Sequence, residues 1–174
     1  IIMVKYYLPG LFEFFDLYTV FVDMFQQENY KFRQCEIGAI FGSPNRVIWN
    51  GGRVRISPPV DIDRVKKWAE DKNISCALTF TNHLIEEEHL HNIYCNDLAR
   101  VFESENNAII IHSPLLEDYI RQTYPKYKIV SSTTKCIRNI DILKQEFSRP
   151  YERVVLDYNF NKELQFLRDL PKEE

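Results

Sequence analysis

The stretch "AIIIHSPLLEDYIRQTYPKYKIVSS", residues 108–132, decides the fold. It opens on a short apolar run, "AIII", of the kind found in strands covered on both faces. Ser113 offers a hydroxyl N-cap and Pro114 the residue type favoured at the first helical position, which predicts a helix over 114–124. A second strand follows at once in "YKIVSS", 127–132. Strand, helix and strand in so short a span make a parallel pair joined by a right-handed crossover.

The same unit recurs on both sides. Upstream, "MVKYYLP" (3–9) predicts a strand that Pro9-Gly10 ends. A helix is predicted over 11–28, from apolar residues at 11, 14, 15, 18, 21, 22 and 25. "CEIGAIF" (35–41) and "SCALTFT" (75–81) predict two further strands, followed by helices over 61–72, with Asp61 as cap, and 92–104. Downstream come a helix over 140–147, a sixth strand in "RVVLDY" (153–158) and a sixth helix over 161–170 capped by Asn161. Six strand–helix units in 174 residues predict one α/β domain spanning 1–174. The fold class is a set of parallel (β/α) repeats forming a partial TIM barrel. The alternative is an open doubly wound parallel sheet.

Charge and composition restrict the function. A net charge of −3 leaves no basic footprint, which disfavours a nucleic-acid partner. No apolar run has the length of a membrane span, and Glu13, Asp16 and Asp23 interrupt what would be a secretory signal. The expected location is the cytoplasm. Cys35, Cys76, Cys95 and Cys136 lie far apart without a CxxC pair, so reduced thiols are expected.

In parallel α/β folds ligands gather at the carboxyl ends of the strands. Here those ends carry Ser43, Pro44 and Asn45; Thr81, Asn82 and His83; His112 and Ser113; Ser131, Ser132, Thr133 and Lys135; and Asp157 and Asn159. Each alone serves as a turn or cap residue; as a set they predict a ligand site. The long loop containing "VIWNGGRVRI" (47–56) adds two glycines for close backbone approach, Trp49 as a stacking face and Arg53 as a bidentate anion grip. The substrate-binding candidates are therefore Asn45, Arg53, Asn82, His112, Ser132, Lys135 and Asp157, for a small-molecule or peptide substrate, with no nucleophile assigned. Asp157 reads equally as a mouth carboxylate or a helix cap. Lys135 reads as a Schiff-base lysine or, more simply, as a solvated residue leading into the next helix. His89, His91 and Cys95 have a spacing that could touch a metal, but they adjoin "EEE" (86–88), a solvated face, so no metal site is expected. There is no dinucleotide fingerprint, phosphate-binding P-loop or GxSxG element.

The strings "YYLPGLFEFFDLY", "CEIGAIFGSPN", "TFTNHLIEEEHL", "IIIHSPLLEDYIR", "YPKYKIVSSTTKCI" and "VVLDYNFNKELQFL" resemble a group of uncharacterised bacterial proteins. That group is similar in turn to the collagenase-like peptidase family U-32. The resemblance implies a TIM-barrel catalytic domain. The activity it implies is peptidase-like, or an oxygen-independent hydroxylation or modification of the kind its relatives are linked to. It also implies an iron–sulfur cluster on cysteines downstream of the matched segment. None of the four cysteines here takes that pattern, so no cofactor is expected in this chain itself. On this reading the chain is the N-terminal part of a longer barrel enzyme. The alternative is a non-catalytic module that binds a ligand or a protein. An incomplete barrel leaves a parallel edge strand open to pairing with another chain, so a homo-oligomer is expected.

Overall fold

The computed structural model describes residues 3–27, 34–52 and 59–170. Six strands form one sheet: β1 (Val4–Pro9), β2 (Cys35–Gly42), β3 (Cys76–Phe80), β4 (Ala108–Ile111), β5 (Lys128–Ser131) and β6 (Arg153–Val154). Every adjacent pair is parallel and the strand order follows the chain, β1 to β6. A doubly wound sheet reverses its strand order partway, which puts helices on both faces. This one never reverses, so every crossover lies on the same side. The result is a curled half-barrel, and the doubly wound alternative falls.

The helices are α1 (Phe15–Phe25), α2 (Ile62–Asp71), α3 (Glu87–Leu90), α4 (Ile93–Phe102), α5 (Pro114–Thr123), α6 (Ile140–Phe147) and α7 (Leu164–Asp169). Their starts obey local chemistry. Asp61 accepts from the Arg64 backbone N–H at 3.1 Å, and Ser113 from that of Leu116 at 3.3 Å with Pro114 at the first position of α5. Asn92 caps α4 by accepting from Cys95 N–H, and Asn139 caps α6 by accepting from Asp141 and Ile142. The short α3 falls where the acidic run was read only as a solvated face. Two expectations fail near the C-terminus. The sixth strand pairs over two residues rather than six, because Asp157 turns the backbone into a 3₁₀ turn over Tyr158–Lys162. Asn161 lies inside that turn, and α7 begins at Leu164 without a side-chain cap.

The pleat divides the core in two. Ile40, Cys76, Leu78, Phe80, Ile109, Ile111 and Ile129 point outward to the helices and join the large cluster with Phe12, Phe15, Leu98, Phe102, Leu116 and Ile120. The inner face carries Ala39, Ala77, Ala108 and Val130, with Phe41 and Ile110 packed against them. Side chains this small let the sheet bend inward. At its rim the guanidinium of Arg153, on the last strand, lies 3.7 Å from the ring centroid of Tyr7, on the first. This cation–π contact spans the concave side and ties the two edge strands together. On the outside, α1 leaves Leu17, Val20, Phe21 and Met24 exposed, a stripe at three- and four-residue spacing beside the open edge of β1.

Candidate functional site

A cleft of about 1020 Å³ opens on the concave side at the carboxyl ends of the strands. Its floor is apolar, built from Tyr7, Phe41, Ala77 and Ile110. Its rim is polar, with Ser43, Asn50, Thr79, Thr81, His83, His112, Ser132, Thr133 and Thr134. The charged groups on its wall, among the described residues, are Glu13 and Arg153, and Arg153 is already stacked on Tyr7.

Most of the rim hydroxyls are committed to the protein. Ser43 Oγ donates to Thr79 O at 2.8 Å, and Thr79 Oγ1 lies 3.0 Å from Ser43 Oγ. Thr133 Oγ1 donates to Leu156 O at 2.8 Å. Thr81 Oγ1 accepts from Gly51 N–H at 3.2 Å, and a Cβ on Gly51 would come within 2.8 Å of that oxygen. The close approach that glycine allows is therefore to Thr81, where it seats the loop on the end of β3.

The imidazoles are differently placed. His112, just past β4, has Nδ1 2.9 Å from Thr134 Oγ1, which lies 2.8 Å from Ser132 Oγ. Ser132 Oγ also accepts from Thr134 N–H at 3.1 Å. Two proton arrangements satisfy this relay: His112 Nδ1–H donates to Thr134 and Thr134 to Ser132, which leaves the Nε2 lone pair free, or Ser132 donates to Thr134 and Thr134 to Nδ1, with the ring proton on Nε2. His83, just past β3, sits with its ring centroid 5.6 Å from that of His112 and the planes tilted by 40°. Burial, then the neighbouring His83 and Lys135, pull the His112 pKa below its ordinary value and favour the neutral ring.

Two of the seven candidates thus line the cleft, His112 and Ser132. Asn45 sits in the turn after β2, off the cleft lining. Arg53 lies outside the described residues. Asn82 acts as a latch: Nδ2 donates to Ile48 O at 2.8 Å, Oδ1 accepts from Leu84 N–H at 2.9 Å, and its own N–H donates to Trp49 O. Asp157 is 2% exposed and serves as the cap, accepting from Asn159 N–H at 2.8 Å with Arg138 Nε at 3.4 Å. The Asn159 amide is the main cause holding its carboxyl below the usual range. Trp49 is fully buried, T-shaped against Phe80 and Tyr119, with Nε1 donating to His89 O at 2.8 Å, so its faces belong to the core.

Lys135 is neither solvated nor aimed into the cleft. Its Nζ lies 2.5 Å from Glu146 Oε1 and 3.0 Å from Tyr151 Oη, with the side chain 12% exposed. Tyr151 Oη donates to Glu117 Oε2 at 2.6 Å, and Arg121 and Arg149 each pair with the same buried Glu117. Ser131 also faces this layer and donates to Glu146 at 2.5 Å. The four hydroxyls of 131–134 therefore divide: Ser131 serves the helix side, and the next three serve the cleft rim.

Burial works to raise the Glu146 pKa, but the Lys135 ammonium and the Ser131 hydroxyl outweigh it and the net shift is downward. The folded chain then binds fewer protons at this site than the unfolded chain. The stabilisation is complete above the ordinary glutamate pKa of about 4.3 and is lost as the pH falls through the depressed value. Urea midpoints are expected to fall as the pH is lowered from about 6 to 3, with a shallower slope in Lys135→Met. Equal slopes in the two proteins would remove Glu146 from the acid response.

The residues that sequence reading did not single out are Thr134, Tyr7 and Arg153. Register could have found Arg153, since it pairs with Val130 on the inner face. Its contact with Tyr7 across the sheet has no local signal. The fold and site define an α/β half-barrel with a polar cleft at its carboxyl rim. No protein-family model, curated protein or solved structure matches the chain.

Proposed function

We propose that this cleft is a substrate-binding site for a small molecule or a peptide end, and that the chain is the N-terminal part of a barrel enzyme of the U-32-like kind. The observation that carries the site is the pairing of His83 and His112 above an apolar floor, in a cleft of about 1020 Å³ whose other polar groups are largely spent on the protein. An aromatic and aliphatic floor beneath a few convergent polar groups is the usual make-up of a ligand pocket. The scarcity of charge on the wall favours neutral polar ligands over phosphates. The exposed stripe of α1 supports the larger-barrel reading, since a neighbouring helix would cover that face in a closed barrel. The reaction is peptidase-like or an oxygen-independent modification, and any iron–sulfur centre belongs to a longer protein. The alternative is a non-catalytic binding module, with a second copy or another protein at the β1 edge. The expected location is the cytoplasm.

The test is a screen of neutral polar fragments followed by ¹H–¹⁵N NMR, reading the imidazole signals of His83 and His112 and the amide of Thr134. Fragments that shift these three together, and lose their effect in Phe41→Ala, are expected. A panel whose binders perturb only other surfaces would overturn the site.

A further inference from the structure

The geometry points to a binding site for one divalent transition ion, zinc first among them, held by His83 and His112 at the carboxyl rim of the half-barrel. The two rings stand 5.6 Å apart, centroid to centroid. Two imidazoles that share one tetrahedral zinc at about 2.0–2.1 Å have ring centroids roughly 5 Å apart. A small rotation of His83, which is exposed and held by no hydrogen bond among the described residues, closes the difference.

The surroundings of His112 make the stronger argument. A histidine that binds a metal nearly always donates its other ring N–H to an oxygen, which fixes the ring and leaves the ligating nitrogen free. Thr134 can supply that oxygen at 2.9 Å in the tautomer that leaves Nε2 free, and Ser132 Oγ holds Thr134 twice, at its hydroxyl and at its backbone N–H. Two residues of the "SSTTK" turn, Ser132 and Thr134, thus stand behind one imidazole. The plain alternative, two rings in contact at a cleft rim, explains the ring distance but not this support. Imidazole nitrogen suits zinc, copper and nickel and is a poor donor for magnesium or calcium.

Among the described residues no third His, Cys, Asp or Glu completes a cluster with this pair. The remaining coordination positions fall to water or to a substrate oxygen. Structural zinc sites are closed by four protein ligands and catalytic ones keep three with one open position, so a site with two imidazoles falls on the open side and has one protein ligand fewer than the catalytic set. The ion would polarise a carbonyl or hydroxyl seated on the floor of Phe41 and Ile110. The site shares the proposed substrate cleft but needs no organic ligand, so zinc alone is the probe.

The experiment is a micromolar titration of zinc into untagged, chelator-stripped protein, followed by calorimetry and by long-range ¹H–¹⁵N spectra of the imidazoles. One equivalent is expected to bind, moving the ring nitrogens of His83 and His112 and leaving His89 and His91 in place. His83→Ala and His112→Ala are each expected to weaken binding at least tenfold. Thr134→Val, which keeps both ligands but removes the acceptor for Nδ1–H, is expected to weaken it by about tenfold. His89→Ala and Cys136→Ser, the latter replacing the exposed thiol of the cleft wall, are expected to bind as the parent does. The site is overturned by any of three results: no zinc uptake by the folded parent, uptake that survives both histidine substitutions, or uptake lost only with Cys136. The fragment screen on zinc-free protein reads the substrate cleft separately, so either reading can fail without the other.

Discussion

Glu146→Ala is expected to lower stability by about 3–5 kcal/mol, the usual cost of removing one partner from a buried ion pair. The Glu146 and Lys135 side chains are only 9% and 12% exposed, and their charged atoms lie 2.5 Å apart. Taking away the carboxylate leaves the Lys135 ammonium against the Tyr151 ring, 4.7 Å from its centroid, with only the phenol oxygen as a neutral acceptor. It also strands the hydroxyl of the fully buried Ser131. Lys135→Met is expected to destabilise for the mirror reason, by leaving a carboxylate without its cation. The combination Lys135→Met with Glu146→Leu removes both charges and keeps apolar volume, and is expected to recover most of the loss. Urea denaturation followed by circular dichroism on the parent, Lys135→Met, Glu146→Leu and the double variant, which close a cycle, reads this directly. If the two single losses simply add in the double variant, the pair is not coupled and the network is incidental. Because Lys135 roots the turn that carries Thr133 and Thr134 to the cleft rim, the single variants are also expected to broaden the His112 ring signals.

Trp49→Ala is expected to cost a similar amount, about 3–5 kcal/mol, for a different reason. The indole is fully buried, with its ring centroid 5.1 Å from that of Phe80 and 5.9 Å from that of Tyr119. Alanine would leave a void walled by those rings and take the indole N–H from the His89 carbonyl, which keeps only the longer bond from Asn92 N–H at 3.3 Å. Trp49→Phe keeps the ring contacts but not the donor, and is expected to fall between the two. The same denaturation measurement separates them. A loss below about 1 kcal/mol for Trp49→Ala would mean that the loop carries the side chain as surface, as its sequence setting suggested.

Trp49 shows where reading the sequence stopped. It lies between turn residues and just before two glycines, the setting of an exposed loop, yet the loop folds back over the end of β3 and becomes part of the core. Asn82 makes that fold-back visible only in three dimensions: its Nδ2 and its backbone N–H hold Ile48 and Trp49, while Oδ1 closes a local turn on Leu84. Nothing within a few residues of Asn82 announces a partner at Ile48. Lys135 is a similar case. Its place in the turn suggested solvent or a reactive amine, and its partners Glu146 and Tyr151 are supplied by later segments of the chain.

What the sequence determined by itself was local and periodic. Apolar runs of four residues, capping side chains such as Asp61 and Ser113, and the alternation of strand and helix specify six parallel βα units, because each depends on neighbours a few residues away. His112 and Ser132 were also legible as rim residues, since the end of a parallel strand fixes where its next side chains emerge. The tertiary structure decided the rest. The strand order settled the half-barrel against the doubly wound sheet, and the inner alanines let the sheet curl until Arg153 reached Tyr7. The adjacent pairing of β3, β4 and β5 sets the residues just past their ends side by side, His83 next to His112 and His112 next to Thr134. Contacts between residues far apart in the chain depend on the path of the whole backbone, and no local pattern encodes them.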